Sequence, residues 1–131
     1  MNTWLQKVRE FQLAYGHTLP ETPSLLPPNR QQQRLAYMQE ELDEFAEAKT
    51  VLDQTDAMLD LIYFALGTLT ELGVEPDVLF NIVHNANMQK LWPDGKPRFQ
   101  NGKVVKPPHW QSPDQQLLTE LEKQAKLGQQ T

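Results

Sequence analysis

Between positions 40 and 60 the chain carries Glu40, Glu41, Asp43, Glu44, Glu47, Asp53, Asp56 and Asp60 against a single base, Lys49. Eight of its 17 carboxylates therefore fall in one short stretch. On a helix, Glu40, Glu44 and Glu47 lie within about 60° of one another, opposite Leu35, Met38 and Leu42, the pattern of a solvated face. Asp53 and Asp56 can also serve at the start of the next helix. Asp60 fits neither pattern, because it is the sole charge in AMLDLIYFALGTLT, residues 57–70. A helix that is apolar all round belongs in a core, where a carboxylate must be protonated, paired or metal-bound. Asp56 enters one turn earlier on the same side, and the adjacent helix offers mostly more carboxylates. A divalent cation is the natural partner, and an all-oxygen ligand set points to Mg²⁺ or Mn²⁺ rather than zinc.

The elements that must position these groups are marked out by proline. Four of the ten prolines lie at 20, 23, 27 and 28, one at 76 and five between 93 and 113, leaving 29–75 free of the strongest helix breaker. Trp4, Val8, Phe11 and Tyr15 predict a helix over 3–16 that stops at Gly16, followed by a loop over 17–28. Asn29, with Gln32 three residues on, has the form of a capping box opening a second helix to about Thr50. A third helix is expected over 54–72, ending at Gly73. Pro76 and Asp77 suit the first turn of a fourth, with Leu79, Ile82, Val83 and Ala86 as its apolar stripe. Asn101-Gly102 signals a tight hairpin within 96–106. Leu117, Leu118 and Leu121 give an amphipathic helix over 114–126. The expected fold is an all-α bundle of about four main helices with a small C-terminal hairpin and a terminal helix. It is read as a single domain over 1–131, with its core at about 29–92 and a strap at 93–113.

Composition removes several function classes. The 131 residues include no cysteine, which excludes disulfides, thiolate metal sites and cysteine nucleophiles. A net charge of −5 argues against a nucleic-acid polymer as partner. That acidity is local: residues 40–60 sum to −7 and the remainder to +2. Apolar runs are too short to span a bilayer and no basic-then-apolar leader opens the chain, so the expected location is cytoplasmic, without a membrane partner.

Four segments together resemble a known family. EELDE at 40–44 has the Glu-Glu-x-x-Glu form of the all-α nucleoside triphosphate pyrophosphohydrolases, the superfamily of MazG, dimeric dUTPase and phosphoribosyl-ATP pyrophosphohydrolase. DAMLDLIYFALGTLTELGV at 56–74 is similar to the segment that follows there, and HNANMQKL at 84–91 to the Asn-x-x-Lys end of helix four. WPDGKPRFQNGKVVKPPHW at 92–110 is similar to the tail of short stand-alone members. The chain departs at Ala57, where the Glu-x-x-Asp of MazG proteins would place a glutamate beside Asp56.

The resemblance implies hydrolysis of a nucleotide substrate between its α- and β-phosphorus, releasing monophosphate and pyrophosphate with Mg²⁺ (or Mn²⁺). It implies Glu41, Glu44 and Asp60 as metal ligands with Asp56 next, and Glu40 as the group that orients or deprotonates the attacking water. Asn87 and Lys90 would contact sugar or phosphates, and assembly as a homodimer or homotetramer is expected. Lys96, Arg98, Lys103 and Lys106 make the strap basic, able to fold over phosphates or simply to keep a hairpin edge soluble. Trp4, Trp92 and Trp110 read first as packing residues and second as a platform for a base. Two other functions stay open: a non-catalytic helical interaction module of the same fold, and a phosphoribosyl-ATP pyrophosphohydrolase.

Overall fold

The computed structural model describes residues 3–129. Five helices follow in order: α1 (Thr3–Ala14), α2 (Pro28–Glu47), α3 (Val51–Glu71), α4 (Pro76–Met88) and α5 (Asp114–Gln129). A two-stranded antiparallel hairpin, β1 (Phe99–Gln100) and β2 (Lys103–Val104), precedes α5. The all-α architecture with its small hairpin is therefore observed. Asn101 and Gly102 both have positive φ, 52° and 77°, as a type I′ turn requires.

Helix boundaries differ from expectation where proline and threonine compete with asparagine and aspartate. α2 begins at Pro28, so Asn29 lies inside its first turn and forms no capping box. Proline's fixed φ already suits that first position, where its missing N–H is not needed. α2 ends at Glu47 rather than Thr50, because Thr50 caps α3 instead, its hydroxyl accepting from the Asp53 amide at 3.0 Å. α3 thus starts at Val51, ahead of the expected 54. Pro76 does open α4, and Gly73, at φ 73°, closes α3.

The helices pack in two groups. α1 and α2 both lie on α3, and α5 lies on α4. The α3–α4 turn bends by 117°, carrying α4 away from the α1–α3–α2 layer. The groups are tied at the turn, where Gln124 of α5 bonds both the amide and the carbonyl of Glu75, each at 3.0 Å. Buried apolar residues among those described are Leu5, Val8, Ala57, Val74 and Ala86.

The expectation that α3 is enclosed on every side is corrected within the single chain. α1 and α2 cover it only in part: Leu59, Ile62 and Tyr63 stay 52%, 37% and 38% exposed along its edge with α1. Among the described residues, no single helix is long and apolar enough to cross a membrane.

Candidate metal and nucleotide site

The short link at 48–50 folds α2 back along α3 as an antiparallel hairpin, whose register is set by a polar row. Arg30 makes a two-point ion pair with Glu71 at 2.6 and 3.0 Å. Arg34, buried, donates to Thr68 Oγ1 at 3.0 Å and the Phe64 carbonyl at 2.7 Å, and pairs with Glu71 at 3.1 Å. Two turns farther along α2 and two turns back along α3, the same register sets Glu41 opposite Asp60. One turn more sets Glu44 opposite Asp56. The arginine row thus fixes an alignment in which these carboxylates occupy neighbouring positions on the two helices.

Glu41 is the innermost, 7% exposed, and its Oε2 is buried without a hydrogen-bond partner. Burial, then the approach and charge of Glu44, then the charges of Asp60 and Asp56 push its pKa up to about 7. Asp60 is half-buried and is shifted upward as well, by burial first and then by Asp56 and Glu44. Glu40, Glu44 and Asp56 are exposed. Among the described residues, no three carboxylate or imidazole groups are placed so that together they could hold a metal ion. Ala57 is 1% exposed between the helices, where a longer acidic side chain would have to displace its neighbours. The donor chemistry fits a hard divalent cation: all oxygen, with one buried oxygen unpaired.

Asn87 and Lys90 are not brought to this cluster within one chain. They lie at the C-terminal end of α4, whose packing partner is α5 rather than α2 or α3. The Lys90 ammonium sits instead over the Trp110 ring, 5.3 Å from its centroid. The strap folds on this end of α4, held by Trp110 Nε1 donating to the Ala86 carbonyl at 2.7 Å. Trp92 Nε1 donates to the Val105 carbonyl at 3.0 Å. Two of the three tryptophans thus act as packing residues, while Trp4 is 53% exposed.

Arg30, Arg34 and Glu71 went unnoticed in the sequence, although Arg30 and Arg34 have the i, i+4 spacing of one helix face. Burial tends to raise the Glu71 pKa, but its hydrogen bond with Arg30 and the charges of Arg34, Arg30 and His17 carry it below the usual carboxylate value. Burial lowers the Arg34 pKa, and the Glu71 hydrogen bond raises that of Arg30. A further polar tie joins α1 to α3. Gln12 donates to the Gly67 carbonyl at 3.1 Å, and its Oε1 accepts from the Thr70 hydroxyl at 2.5 Å.

Residues 8–87 match the family model described as phosphoribosyl-ATP pyrophosphohydrolase. The match contains the whole carboxylate cluster and Asn87, and stops before Lys90 and the strap. Among solved structures, the fold is similar to a protein from Exiguobacterium sp. 255-15 that is provisionally named an NTP pyrophosphohydrolase. The two share 28% sequence identity at a TM-score of 0.53, over 95% of this chain and 97% of the other. No curated protein gives a significant match.

Proposed function

Because the chain belongs to the phosphoribosyl-ATP pyrophosphohydrolase family, we propose that it hydrolyses a nucleoside triphosphate, or a related nucleotide, to the monophosphate and pyrophosphate. The observation that carries this reading is Glu41, a buried carboxylate with an unpaired oxygen that lies within the electrostatic reach of Glu44, Asp56 and Asp60. Left alone, that arrangement is repulsive, and a divalent cation turns it into attraction.

Glu41, Glu44, Asp56 and Asp60 would hold Mg²⁺, with Mn²⁺ as a substitute. When bound, the ion supplies charge neutralisation for the phosphates. Glu40, exposed beside Glu41, orients the attacking water or takes its proton. Asn87 and Lys90 bind sugar or phosphate. Since α4 does not pack on the α2–α3 hairpin, these two residues would have to reach the cluster from a second copy of the chain. A homodimer or homotetramer acting with 1–131 as one unit follows from that, and the apolar face of α1 and α3 is where the copies would meet.

The test is to incubate the protein with each dNTP and NTP, and with phosphoribosyl-ATP, with and without Mg²⁺, and to quantify pyrophosphate. Release from at least one nucleotide only when Mg²⁺ is present supports the reading. No release from any of them by folded protein leaves the helical interaction module as the better account. Phosphoribosyl-ATP as the sole substrate would select the other enzyme reading. Full activity in Asp60→Asn would remove the site assignment and keep the reaction.

A further inference from the structure

Lys90 and Lys106 come from different segments, the end of α4 and the strap. Their ammonium nitrogens nevertheless lie 5.3 and 4.7 Å from the centroid of one indole, that of Trp110. The two charges are thus no more than about 10 Å apart, close enough to repel each other. Ion pairs among the described residues are Arg9–Glu75, Arg30–Glu71, Arg34–Glu71 and Arg98–Asp94, so neither lysine has a carboxylate partner. Between positions 89 and 111 there are five bases and one acid, Asp94, which Arg98 already engages at 3.6 Å. The fold gathers positive charge here and leaves it uncompensated.

The residues next to both lysines in the chain, though not the lysines themselves, wall a cavity of about 600 Å³ that includes Leu91, Trp92, Pro93, Pro107, His109 and Trp110. Both indole N–H groups are spent on backbone carbonyls and Arg98 covers one face of Trp92, 3.8 Å from its centroid, so what the rings lend the cavity is the apolar surface left uncovered. Gln89 and Gln111, both exposed, stand at the same cavity with side-chain amides that can donate and accept. An apolar slot with amides at its margin and two unpaired cations beside it complements a flat heteroaromatic group carrying phosphate.

We propose that this strap cavity binds a nucleotide, its phosphate on Lys90 and Lys106 and its base against Trp92, Trp110 and the prolines. A cation over an exposed ring is held by only about 0.5–1 kcal/mol, less than a charge-assisted bond to phosphate, so the lysines exchange the ring for the ligand. Through Lys90 the proposal rests on the reading above and extends it. It adds Lys106 as a second phosphate contact and the strap as the part that recognises the base, both beyond the family match.

The test is calorimetric titration of the whole protein in EDTA with dAMP, dGMP, dCMP and dTMP, and separately with ribose 5-phosphate and inorganic phosphate. At least one deoxynucleoside monophosphate is expected to bind more tightly than ribose 5-phosphate. Lys106→Ala should weaken that binding about five- to tenfold with an unchanged melting temperature, and Lys106→Arg should restore most of it. Lys103→Ala, on the hairpin and away from Trp110, should have no effect. Equal affinity for ribose 5-phosphate removes the base from the cavity and overturns the proposal. So does equal weakening by Lys103→Ala, or no monophosphate binding at all. A ten-nucleotide single strand bound far more tightly than any monophosphate would assign the cations to a polymer and overturn it too. Because the titration omits metal, its outcome is separate from that of pyrophosphate release: either can fail while the other stands.

Discussion

Glu41 shows how one side chain can oppose the fold that carries it. Its Oε2 is buried without a partner among three further carboxylates, so in the absence of cation it weakens the α2–α3 contact. Glu41→Gln should therefore raise the melting temperature of metal-free protein at pH 8, and Mg²⁺ should raise that of the wild type but not that of the variant. Thermal melts with EDTA and with Mg²⁺ measure both, and a variant still stabilised by Mg²⁺ would move the ion elsewhere. Glu71 carries the opposite sign. Despite burial, its bonds to Arg30 and Arg34 hold its pKa below the ordinary value of about 4.3. A depressed folded pKa contributes stability above the unfolded value, and that contribution is lost as pH falls through the folded one. The stability gap between wild type and Glu71→Gln should thus be full at pH 6 and shrink steadily below about pH 4.3. Urea melts across that range check it.

At the scale of elements, the α3–α4 turn sets where α4 and the strap go. Gly73 closes α3 at φ 73°, and a Cβ there would lie 2.2 Å from the Thr22 carbonyl oxygen. Backbone cannot step aside as a side-chain tip can, so Gly73→Ala meets both a disfavoured φ and a clash. The expected loss is roughly 2–4 kcal/mol in a urea melt. The α2–α3 hairpin owes its alignment to the arginine row, not to the carboxylates. The i, i+4 spacing of Arg30 and Arg34 was legible, yet a lone glutamate at the end of an apolar helix gave no hint of their partner. The Thr50 cap was hidden for a similar reason: Thr50, Asp53 and Asp56 are all competent helix starters, and only the path of the link chooses among them.

For the whole molecule, surface area is the informative quantity. The chain exposes 9888 Å², whereas a compact monomer of 15.1 kDa exposes roughly 7,100 Å². The excess of roughly 2,800 Å² per chain, about 5,600 Å² for a pair, is as large as the largest permanent subunit interfaces bury. Trp4, Leu59, Ile62 and Tyr63 are exposed on one side of α1 and α3 and line a cavity of about 220 Å³ that includes Asp60. Light scattering coupled to size exclusion should give a mass of at least two chains, and Leu59→Glu with Ile62→Glu should lower it to one. A single-chain mass for the wild type would also withdraw Asn87 and Lys90 from the site.

Local signals were enough for the helices, the Asn101-Gly102 turn, the Pro76 start and the clustering of acids, because each rests on neighbours a few residues apart. The charge asymmetry was equally legible, since it needs only counting. Tertiary structure decided that Glu41 is the buried member of the cluster, that α3 keeps an open apolar face, and that Lys90 lies on Trp110 beside Lys106. Those outcomes depend on which helix covers which, and burial and charge pairing are set by groups far apart in the chain.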